Sequence, residues 1–398
     1  MKSAHYSLAL TLAAAVQFGA QADEWNVVLL EPLGASESHC FAAAGGVQGG
    51  WVRYGGQGQA TIWFGGPDGF IDLSIGQTSW ISSSVSALSG NQVAISTYTS
   101  QMGRAILYNR TTEVFLDLTP PGMASAAFQG LDIGTNTQVG SGVMGMGAAV
   151  LWRGSPESAV NLTPPGWLSS AAAGCWGNTQ VGNGVANSMP YFGHPYITHG
   201  GQDFTDLTPF GSESAGVAGC DSSSQVGSVK WPWFPMGRAV LWHSTPASAI
   251  DLHPDFAASS AAAACSNGVQ VGGYVPLSGG FGQAILWRGS AVSAQDLHHF
   301  VQEQLGYEYL QTEATGIDPT TGDIVGNAYT AVGGYLISHA IVWKRPSVIG
   351  DITGDGWVNA NDIAALLNSW GQGGPADLNG DTRVDASDLA IMLAAWTG

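Results

Sequence analysis

The stretch from Ala239 to Gly272, AVLWHSTPASAIDLHPDFAASSAAAACSNGVQVG, contains the pattern that organises most of the chain. It opens with Ala, two apolar residues and Trp, and an Asp-Leu pair stands twelve residues after the Ala. A run of Ser and Ala follows, and the stretch ends on Gln-Val-Gly. Because Gly, Pro, Ser or Asn separates these short segments, each segment is typical of a β-strand bounded by turns.

The same pattern recurs at a nearly constant interval, which indicates a repeat architecture. By subtraction, the opening positions lie 45, 44, 45, 45, 45 and 56 residues apart. Four strands in about 45 residues is the size of one blade of a β-propeller. The opening position holds Ala60, Ala105, Ala149, His194, Ala239, Ala284 and Ala340.

The two ends of the repeat region predict a closed ring. The seventh Ala-x-x-Trp segment, Ala340–Trp343, has no Asp-Leu pair after it, whereas VVLLEPLG at Val27–Gly34 aligns with VNLTPPG at Val160–Gly166. We therefore predict an all-β, seven-bladed propeller whose N-terminal strand completes the last blade and leaves no free sheet edge. The Ser/Ala strand of each blade is then innermost, because only small residues fit near a crowded axis.

Composition and the first residues limit where the protein acts and what it binds. The chain has 398 residues, of which 10% are charged, and a formal net charge of −18, which disfavours nucleic-acid and anionic-membrane partners. Residues 1–22 read as a secretory signal, with Lys2, the apolar run Leu8–Val16 and a cleavage site at Ala20-Gln21-Ala22. No later run reaches the ~18 apolar residues that span a bilayer. We expect a secreted or cell-surface protein without a membrane span.

Residues that recur once per blade are predicted to be structural. The Asp of each Asp-Leu pair is expected to hold backbone N–H groups at a strand end. Cys175, Cys220 and Cys265 share one repeat position, which places them too far apart for disulfides and leaves Cys40 as the only odd partner. We expect blade-to-blade packing, rather than ligand contact, of the aromatic position, which holds Trp63, Tyr108, Trp152, Trp242, Trp287 and Trp343, with Ile197 in the fourth unit.

Function is therefore sought among residues that do not repeat. The loops after Gln-Val-Gly and after Asp-Leu share one face of the predicted propeller, and they carry aromatic residues beside Pro. Such residues suit stacking on sugar rings or peptide side chains, whereas the alternative is that they pack on each other and cap a blade. Residues 298–317 break the period with an insertion that is interpreted as a short helix. The ligand-face candidates are Trp167, Tyr191, Phe192, Trp231, Trp233 and Phe234.

The repeat units resemble HAF-type extracellular repeats, whose pattern is A-F-L-W, then D-L, S-x-A and G-Q-V-V-G. Ala284–Trp287 and Asp296-Leu297 match the first two parts, and Thr312–Asp318 followed by Ile324–Gly326 matches the last unit of that family. The resemblance covers roughly residues 26–345. It implies an exported propeller and supplies no catalytic residue.

Two acidic twelve-residue loops follow the propeller region. DITGDGWVNAND at 351–362 and DLNGDTRVDASD at 377–388 begin 26 residues apart. An EF-hand-like Ca²⁺ loop needs hard oxygens at positions 1, 3, 5, 9 and 12 and a backbone carbonyl at position 7. The first predicted ligand set is Asp351, Thr353, Asp355, Trp357 through its carbonyl, Asn359 and Asp362. The second is Asp377, Asn379, Asp381, Arg383 through its carbonyl, Asp385 and Asp388.

Each loop leads into a segment with the apolar spacing of one helix face. We expect the two helices to pack through these faces while Ca²⁺ fixes the loops, so that metal binding contributes folding energy. Thr382 stands where a Gly usually makes the sharp turn, and we therefore expect the second Ca²⁺ site to be the weaker one. The two faces contain Ile363, Leu366, Leu367 and Trp370, and Leu389, Met392, Leu393 and Trp396.

The duplicated loop and helix over residues 350–398 resembles a type I dockerin. This resemblance implies Ca²⁺-dependent docking to a cohesin-like partner, as in assemblies that degrade polysaccharides. That family reads its partner through the tenth and eleventh loop positions, which are Ala360, Asn361, Ala386 and Ser387 here. The expected domains are a signal peptide at 1–22, a propeller at 23–345, a linker at 346–349 and a docking module at 350–398.

The sequence leaves more than one function open. It contains no G-x-S-x-G, H-E-x-x-H, C-x-x-C or G-x-x-x-x-G-K motif, which favours a non-catalytic binding or structural propeller. The alternative is a carbohydrate-active hydrolase or lyase, whose two carboxylates about 5–10 Å apart would meet across the propeller face. Asp203, Glu213 and Glu313 are interpreted as ordinary surface acids. Surface display without a ligand is the third possibility.

Overall fold

The computed structural model describes residues 25–132, 134–144, 146–187, 193–201, 203–345, 348–353 and 358–396. Residues 25–345 form seven four-stranded antiparallel sheets, six of which are simple meanders, while the seventh adds an N-terminal strand to three strands from the end of the repeat region; this confirms the seven-bladed propeller. The predicted secretory signal lies outside the described residues. In the described part of the chain, no helix is long and apolar enough to cross a membrane.

The strands follow the predicted order, from the Ser/Ala strand inside to the Asp-Leu strand outside. The first blade contains β2 (Glu37–Ala44), β3 (Val47–Arg53), β4 (Gln59–Trp63) and β5 (Phe70–Asp72), and the second contains β6 (Ser82–Ser89), β7 (Gln92–Tyr98), β8 (Gly103–Asn109) and β9 (Val114–Asp117). The third contains β10 (Ser125–Asp132), β11 (Thr137–Met144), β12 (Met146–Trp152) and β13 (Val160–Asn161), and the fourth contains β14 (Trp167–Trp176), β15 (Thr179–Ala186), β16 (Gly193–His199) and β17 (Phe204–Asp206).

The remaining blades repeat this arrangement. The fifth contains β18 (Ser214–Cys220), β19 (Gln225–Trp231), β20 (Phe234–Trp242) and β21 (Ile250–Asp251), and the sixth contains β22 (Ala257–Ser266), β23 (Val269–Pro276), β24 (Gln283–Trp287) and β25 (Gln295–Asp296). The seventh contains β26 (Tyr309–Ile317), β27 (Ile324–Val332), β28 (Tyr335–Lys344) and β1 (Asn26–Leu29). The insertion before β26 forms helix α1 (His298–Gln304), and the C-terminal region contains α2 (Ala360–Asn368) and α3 (Ala386–Ala394).

The N-terminal strand closes the ring as predicted. β1 pairs antiparallel with β28, so that Val27 lies opposite Trp343 and Leu29 opposite Ile341. The N–H of Leu30 also donates to the carbonyl oxygen of Ala340 at 2.8 Å. The last blade is therefore built from both ends of the propeller sequence, and its outer edge is formed by residues that precede the first blade.

The once-per-blade aromatic residues pack between blades, as expected. Trp63, Trp152, Trp242, Trp287 and Trp343 are fully buried, and burying each such side chain contributes a few kcal/mol, on the order of 2–3. They are among the largest side chains of the hydrophobic clusters that join neighbouring blades. The four cysteines are all free thiols, which agrees with the expectation that they do not form disulfides.

The fourth unit differs from the predicted alignment by one residue. Thr198 lies opposite Gln180 just as Trp152 lies opposite Gln138, so Thr198 occupies the aromatic position that the sequence assigned to Ile197. The opening position likewise belongs to Pro195 and not to His194, since its carbonyl accepts from Leu207 as other units accept from their Asp-Leu strand. The segment from the opening position to the Asp-Leu pair, between β16 and β17, is one residue shorter than in the other units. The sequence alignment assumed a fixed interval and therefore did not show this difference.

A hydroxyl group links most neighbouring blades. The N–H of Ala60 donates to Ser83 Oγ at 2.8 Å, across to the innermost strand of the next blade, and Ala340 donates to Ser38 Oγ at 2.9 Å across the ring closure. Equivalent bonds run from Ala149 to Ser170, from Ala239 to Ser260 and from Ala284 to Thr312. The innermost strands of the third and fifth blades carry Ala126 and Ala215 at this position, two residues before the β-bulge.

The repeated Asp-Leu and Gln-Val residues serve the backbone. The carboxylate or amide oxygen of each Asp or Asn accepts the N–H two residues later, at 2.8–2.9 Å, in all six units, which agrees with the predicted turn role. The buried Gln side chains accept the N–H of a left-handed turn residue after the aromatic strand. Examples are Gln48 with Gly65 at 2.8 Å and Gln270 with Gly289 at 2.7 Å.

Helix α1 braces the closing strand through one side chain. Gln304 accepts the N–H of Val27 through Oε1 at 2.8 Å and donates from Nε2 to the carbonyl oxygen of Trp25 at 2.6 Å. Its amide thereby pairs with one backbone group in β1 and one in the residue just before that strand. Phe300 and Val301 of the same helix pack in the cluster that contains Trp25, Val27 and Trp343. The insertion that interrupts the repeat thus secures the ring.

We predict that Gln304→Ala lowers the free energy of unfolding of the propeller by about 1–2 kcal/mol, because two hydrogen bonds to the closing strand are lost. Urea unfolding measures the effect. Glu303→Ala is the matched control, since Glu303 is exposed on the same helix. Equal stability of Q304A and E303A would show that the amide bracket does not contribute to closure.

Candidate docking module and ligand face

The position-12 carboxylates close the two C-terminal loops. Asp362 Oδ1 accepts the N–H groups of Ile352 and Thr353 at 2.9 Å, and its Oδ2 accepts the N–H of Asn359 at 2.9 Å. Both Asp362 and its counterpart Asp388 are fully buried. The pKa of Asp362 is lowered although burial acts to raise it, because these hydrogen bonds stabilise the charged form.

Asp388 repeats this geometry in the second loop. Its Oδ1 accepts from Leu378 at 2.7 Å and from Asn379 at 3.1 Å, and its Oδ2 accepts from Asp385 at 2.8 Å. The N–H donated by Asp385 is the main reason why the pKa of Asp388 is lowered. In each loop, the residues at positions 9 and 12 also form the capping box of the following helix.

The remaining predicted ligands of the second loop are acceptor-rich and compact. Asp377 accepts the N–H groups of Gly380, Asp381 and Thr382 at 2.7–3.1 Å. Asn379 Oδ1 accepts from Asp381 at 2.9 Å, and Asp385 Oδ1 caps α3 through the N–H of Ser387. No cationic side chain in the described residues forms a salt bridge with the four carboxylates of this loop.

The donor chemistry of the second loop fits Ca²⁺, which takes carboxylate, amide and carbonyl oxygens. The loop oxygens face backbone N–H groups, and Asp377 Oδ1 and Asp388 Oδ1 each accept two of them. No three Asp, Glu, His or Cys side chains converge as a ready metal cluster within the residues described. In the first loop, Asp355 and Trp357 lie outside the described residues, whereas Asp351, Thr353, Asn359 and Asp362 lie within them.

The helix faces pack less completely than the sequence predicted. Leu366 and Met392 are fully buried and join Val358, Ala376 and Val384 in one cluster. Leu367 and Leu393, however, are each 52% exposed, and Trp370 and Trp396 are exposed to nearly the same extent. Each of the two nine-residue helices contributes one fully buried side chain to this small core. The last two positions of each apolar face therefore remain at the surface.

The four predicted partner-docking residues are all accessible. Ala360 and Asn361 form the start of α2, and Ala386 and Ser387 form the start of α3. All four are exposed. The structure therefore presents these short side chains in equivalent positions of the two halves of the module.

Two of the predicted ligand-face residues form an exposed aromatic stack. Trp233, in the hairpin between β19 and β20, is 70% exposed and stacks on Trp231 with ring centroids 5.3 Å apart. Phe234 instead packs edge-on against His253, with the guanidinium of Arg238 4.9 Å from its ring. Trp231 and Phe234 therefore support the loop, and Trp233 is the residue that offers a free surface.

The other ligand-face candidates contribute less. Trp167 is half-buried, with its ring 5.7 Å from His194 and 5.8 Å from Tyr196 in the fourth blade, which agrees with the packing alternative. Tyr191 and Phe192 lie outside the described residues. The sequence reasoning missed Tyr98, Phe281 and Tyr335, which are exposed at equivalent loops after the second strand of their blades. Each follows a Gln-Val-type segment, so the sequence signal that selected the other aromatic loops also applies to them.

The surface acids behave as interpreted in two cases. Asp203 pairs with exposed His199 at 3.0 Å, and Glu213 pairs with Lys230 at 3.0 Å. Glu313 differs, because it lies on the innermost strand β26 and its carboxylate accepts hydrogen bonds from two neighbouring side chains. Nothing in the local sequence distinguishes Glu313 from a surface acid. Its place on the innermost strand is seen only in the folded propeller.

Comparisons with known proteins identify the C-terminal module. The model of the Dockerin type I domain matches residues 349–395, which confirms the predicted resemblance there. Domains of this type bind Ca²⁺ and dock to cohesin-type partners. No curated protein matches the chain by sequence, and the likeness of the propeller units to HAF-type repeats stays a prediction.

Solved structures support the propeller fold alone. The β-propeller domain of the Trilobed protease from Pyrococcus furiosus is 11% identical, with a TM-score of 0.52 over 77% of this chain and 95% of that one. The acylaminoacyl peptidase of Pyrococcus horikoshii is 11% identical, with a TM-score of 0.51 over 77% of this chain and 51% of its own. The chain thus spans about half the length of that peptidase. The Pyrococcus furiosus domain has an open velcro topology, whereas β1 closes this propeller.

Acid should unfold the docking module in the absence of calcium. The pKa values of Asp362 and Asp388 are lowered in the folded state, so their contribution to stability is present above the unfolded value near 4 and is lost as pH falls through the folded values. Hydrogen exchange of the buried Val384 amide in EDTA, followed from pH 7 to pH 2, measures this loss. In D388N, exchange should already be fast at pH 7, whereas the propeller control E303Q should follow the wild type.

We predict that Thr382→Gly tightens Ca²⁺ binding by the second loop about five- to tenfold. Thr382 has φ of +80°, and a β-branched residue in the left-handed region is strained by about 1–2 kcal/mol. Calorimetric titration with CaCl₂ measures the change. Thr382→Ala keeps a Cβ at the same backbone angle and serves as the control, and a weaker second site in T382G than in T382A would contradict the strain argument.

Proposed function

We propose that the protein is an exported binding propeller that is held in an extracellular assembly through its C-terminal module. The single observation that carries this proposal is the match of residues 349–395 to the Dockerin type I domain. Such domains occur in extracellular cellulosome components and imply a cohesin-type partner. The secretory character of residues 1–22 supports export.

The geometry of the module supports Ca²⁺-dependent docking. The position-12 carboxylates of both loops hold the start of the following helix through hydrogen bonds. The exposed pairs Ala360-Asn361 and Ala386-Ser387 lie at these helix starts. A cation bound by the loop oxygens would therefore stabilise the same backbone that presents the partner-facing residues. Removal of Ca²⁺ is expected to loosen loop and docking surface together.

The propeller supports a binding role through its aromatic face. Trp233 is exposed on a stacked partner, and the equivalent loops of other blades carry Tyr98, Phe281 and Tyr335. Exposed aromatic side chains repeated on one face indicate a recognition surface. The loops between the first and second strands, on the opposite face, are mostly Gly-rich turns.

The docking proposal is tested with residues 23–398 against a panel of purified cohesin modules by calorimetry, in Ca²⁺ and in EDTA. We expect binding by at least one module in Ca²⁺ and none in EDTA. Asn361→Arg combined with Ser387→Arg should weaken binding more than tenfold, because a bulky charge is placed on each docking helix. Gln372→Arg, at an exposed position of the same module, should bind normally. Binding that survives both EDTA and the double substitution would contradict the proposal.

A further inference from the structure

Seven equivalent residues of the innermost strands face the axis of the propeller. They lie one residue before the bulge of each strand and are partly or fully exposed, whereas their neighbours along the strand are mostly buried between blades. Five of the seven are small, and the two with ionisable side chains stand next to each other where the seventh and first blades meet. The residues are His39, Ser84, Ala127, Ala171, Gly216, Ala261 and Glu313.

Glu313 is held with one oxygen free. Tyr329 donates its hydroxyl to Glu313 Oε1 at 2.6 Å, and Asn327 donates from Nδ2 to the same oxygen at 3.0 Å. The second oxygen, Oε2, accepts no hydrogen bond from any residue in the described ranges. The pKa of Tyr329 is raised, first by burial and then by the Glu313 charge, so that the phenol remains a donor.

His39 completes one wall of this site. Its ring stacks on Trp51 with centroids 4.6 Å apart and on Phe41 at 5.6 Å, and Tyr329 meets it edge-on at 6.0 Å. Its Nδ1 is buried, and no group in the described part of the chain bonds to it. Burial lowers the pKa of His39 even though Glu313 and Glu37 act to raise it, which favours the neutral ring, in which one nitrogen donates and the other accepts.

Structural need does not explain Glu313 and Tyr329. Asn327 already joins the last blade to the first, because its Oδ1 accepts the N–H of Cys40 at 2.8 Å. Asn183 makes the same junction between the fourth and fifth blades, with Val217, at 2.7–2.8 Å. The axial residues at that junction are only Ala171 and Gly216. The carboxylate and the phenol are therefore additions to a junction that forms elsewhere without them.

The charge at this site is negative, and the other polar side chains around it are neutral. Glu37 is paired with Arg53, whose guanidinium lies 5.1 Å from the Trp51 ring, which leaves Glu313 as the uncompensated charge. The neighbouring second blade adds the hydroxyl of Ser84 at the corresponding axial position and that of Ser82 two residues earlier on the same strand. Phe41, 36% exposed, adds an apolar surface. A ligand that fits must supply several donors, must not be anionic and must have an apolar face.

We propose that His39, Glu313 and Tyr329, with Phe41 beside them, form an axial site that binds one ring of a neutral oligosaccharide. Sugar hydroxyls donate to Glu313 Oε2 and exchange a hydrogen bond with His39, and the C–H face of the ring lies against Phe41. A uronic acid is excluded, because its carboxylate would meet Glu313. This site rests on the proposed binding function of the propeller and gives that function its ligand class.

The test uses residues 23–398 and calorimetric titration with neutral hexasaccharides of glucose, xylose and mannose, and with a hexamer of galacturonic acid. We expect one or more neutral hexamers to bind and the uronic acid hexamer not to bind. Glu313→Gln keeps an acceptor for Tyr329 but removes the charge, and should weaken binding about tenfold or more. Glu213→Gln is the matched control, since that acid belongs to the surface pair with Lys230. Thermal unfolding verifies that each variant is folded.

Each outcome separates the axial site from the wider proposal. Loss of binding in folded E313Q with normal binding in E213Q supports the site. Normal binding in E313Q together with loss in Trp233→Ala overturns the axial site but keeps a binding propeller. No binding by the wild type to any hexamer overturns both the axial site and the carbohydrate role. Equal binding of the galacturonic acid hexamer overturns the stated ligand class, and release of reducing ends that E313Q abolishes replaces binding by catalysis at the same residues.

Discussion

The pairing of β1 with β28 is the interaction on which the rest of the propeller depends. It joins residues more than 300 positions apart. The entropic cost of closing so long a loop is offset by four paired residues and by the two hydrogen bonds from Gln304. Without it the last blade would have three strands and an exposed edge. The same closure brings Ser38 to Ala340 and His39 to the side of Glu313. Stability and the most distinctive chemistry of the axis therefore come from one contact between the two ends of the repeat region.

Much of this architecture could be predicted from the sequence because each blade satisfies its own local requirements. The constant period reflects blades of equal size, and the unpaired strand at Val27 is the one that the last blade lacks. The small residues of the inner strand are required because the blades crowd together near the axis. The Asp of each Asp-Leu pair was also predictable, since its hydrogen bond is local. The fourth unit was misaligned because the tolerance of loops for one missing residue moves Pro195 and Thr198 without leaving a mark in the pattern.

The limits of prediction are physical as well. Leu367 and Trp370 match a buried helix face, yet the module is too small to cover them, and apolar spacing alone does not reveal the thickness of a core. Glu313 is separated from His39 by almost the whole propeller, so no local pattern connects them. Their proximity exists only after closure, and so does the burial of His39 Nδ1 without a hydrogen-bond partner among the described residues. The docking module at the C-terminus was predictable because the acidic residues of each loop and the helix that follows them are close together in sequence; the Ca²⁺ ligands themselves stay a prediction.

The hydroxyl links between blades have a consequence for how such a ring can change over time. At the junction of the fourth and fifth blades, Pro195 supplies no N–H and Ala215 supplies no hydroxyl, so donor and acceptor have disappeared together and nothing is left unsatisfied. A unit with Ala at the opening position placed beside Ala215 would leave a buried donor stranded, unless it brought a local hydroxyl as Thr119 does for Ala105. Although the units look alike, they are not interchangeable parts. Duplication or rearrangement of a unit keeps the fold only when each buried donor at its two junctions meets an acceptor in the adjacent unit. The order of the units is therefore constrained by these junctions.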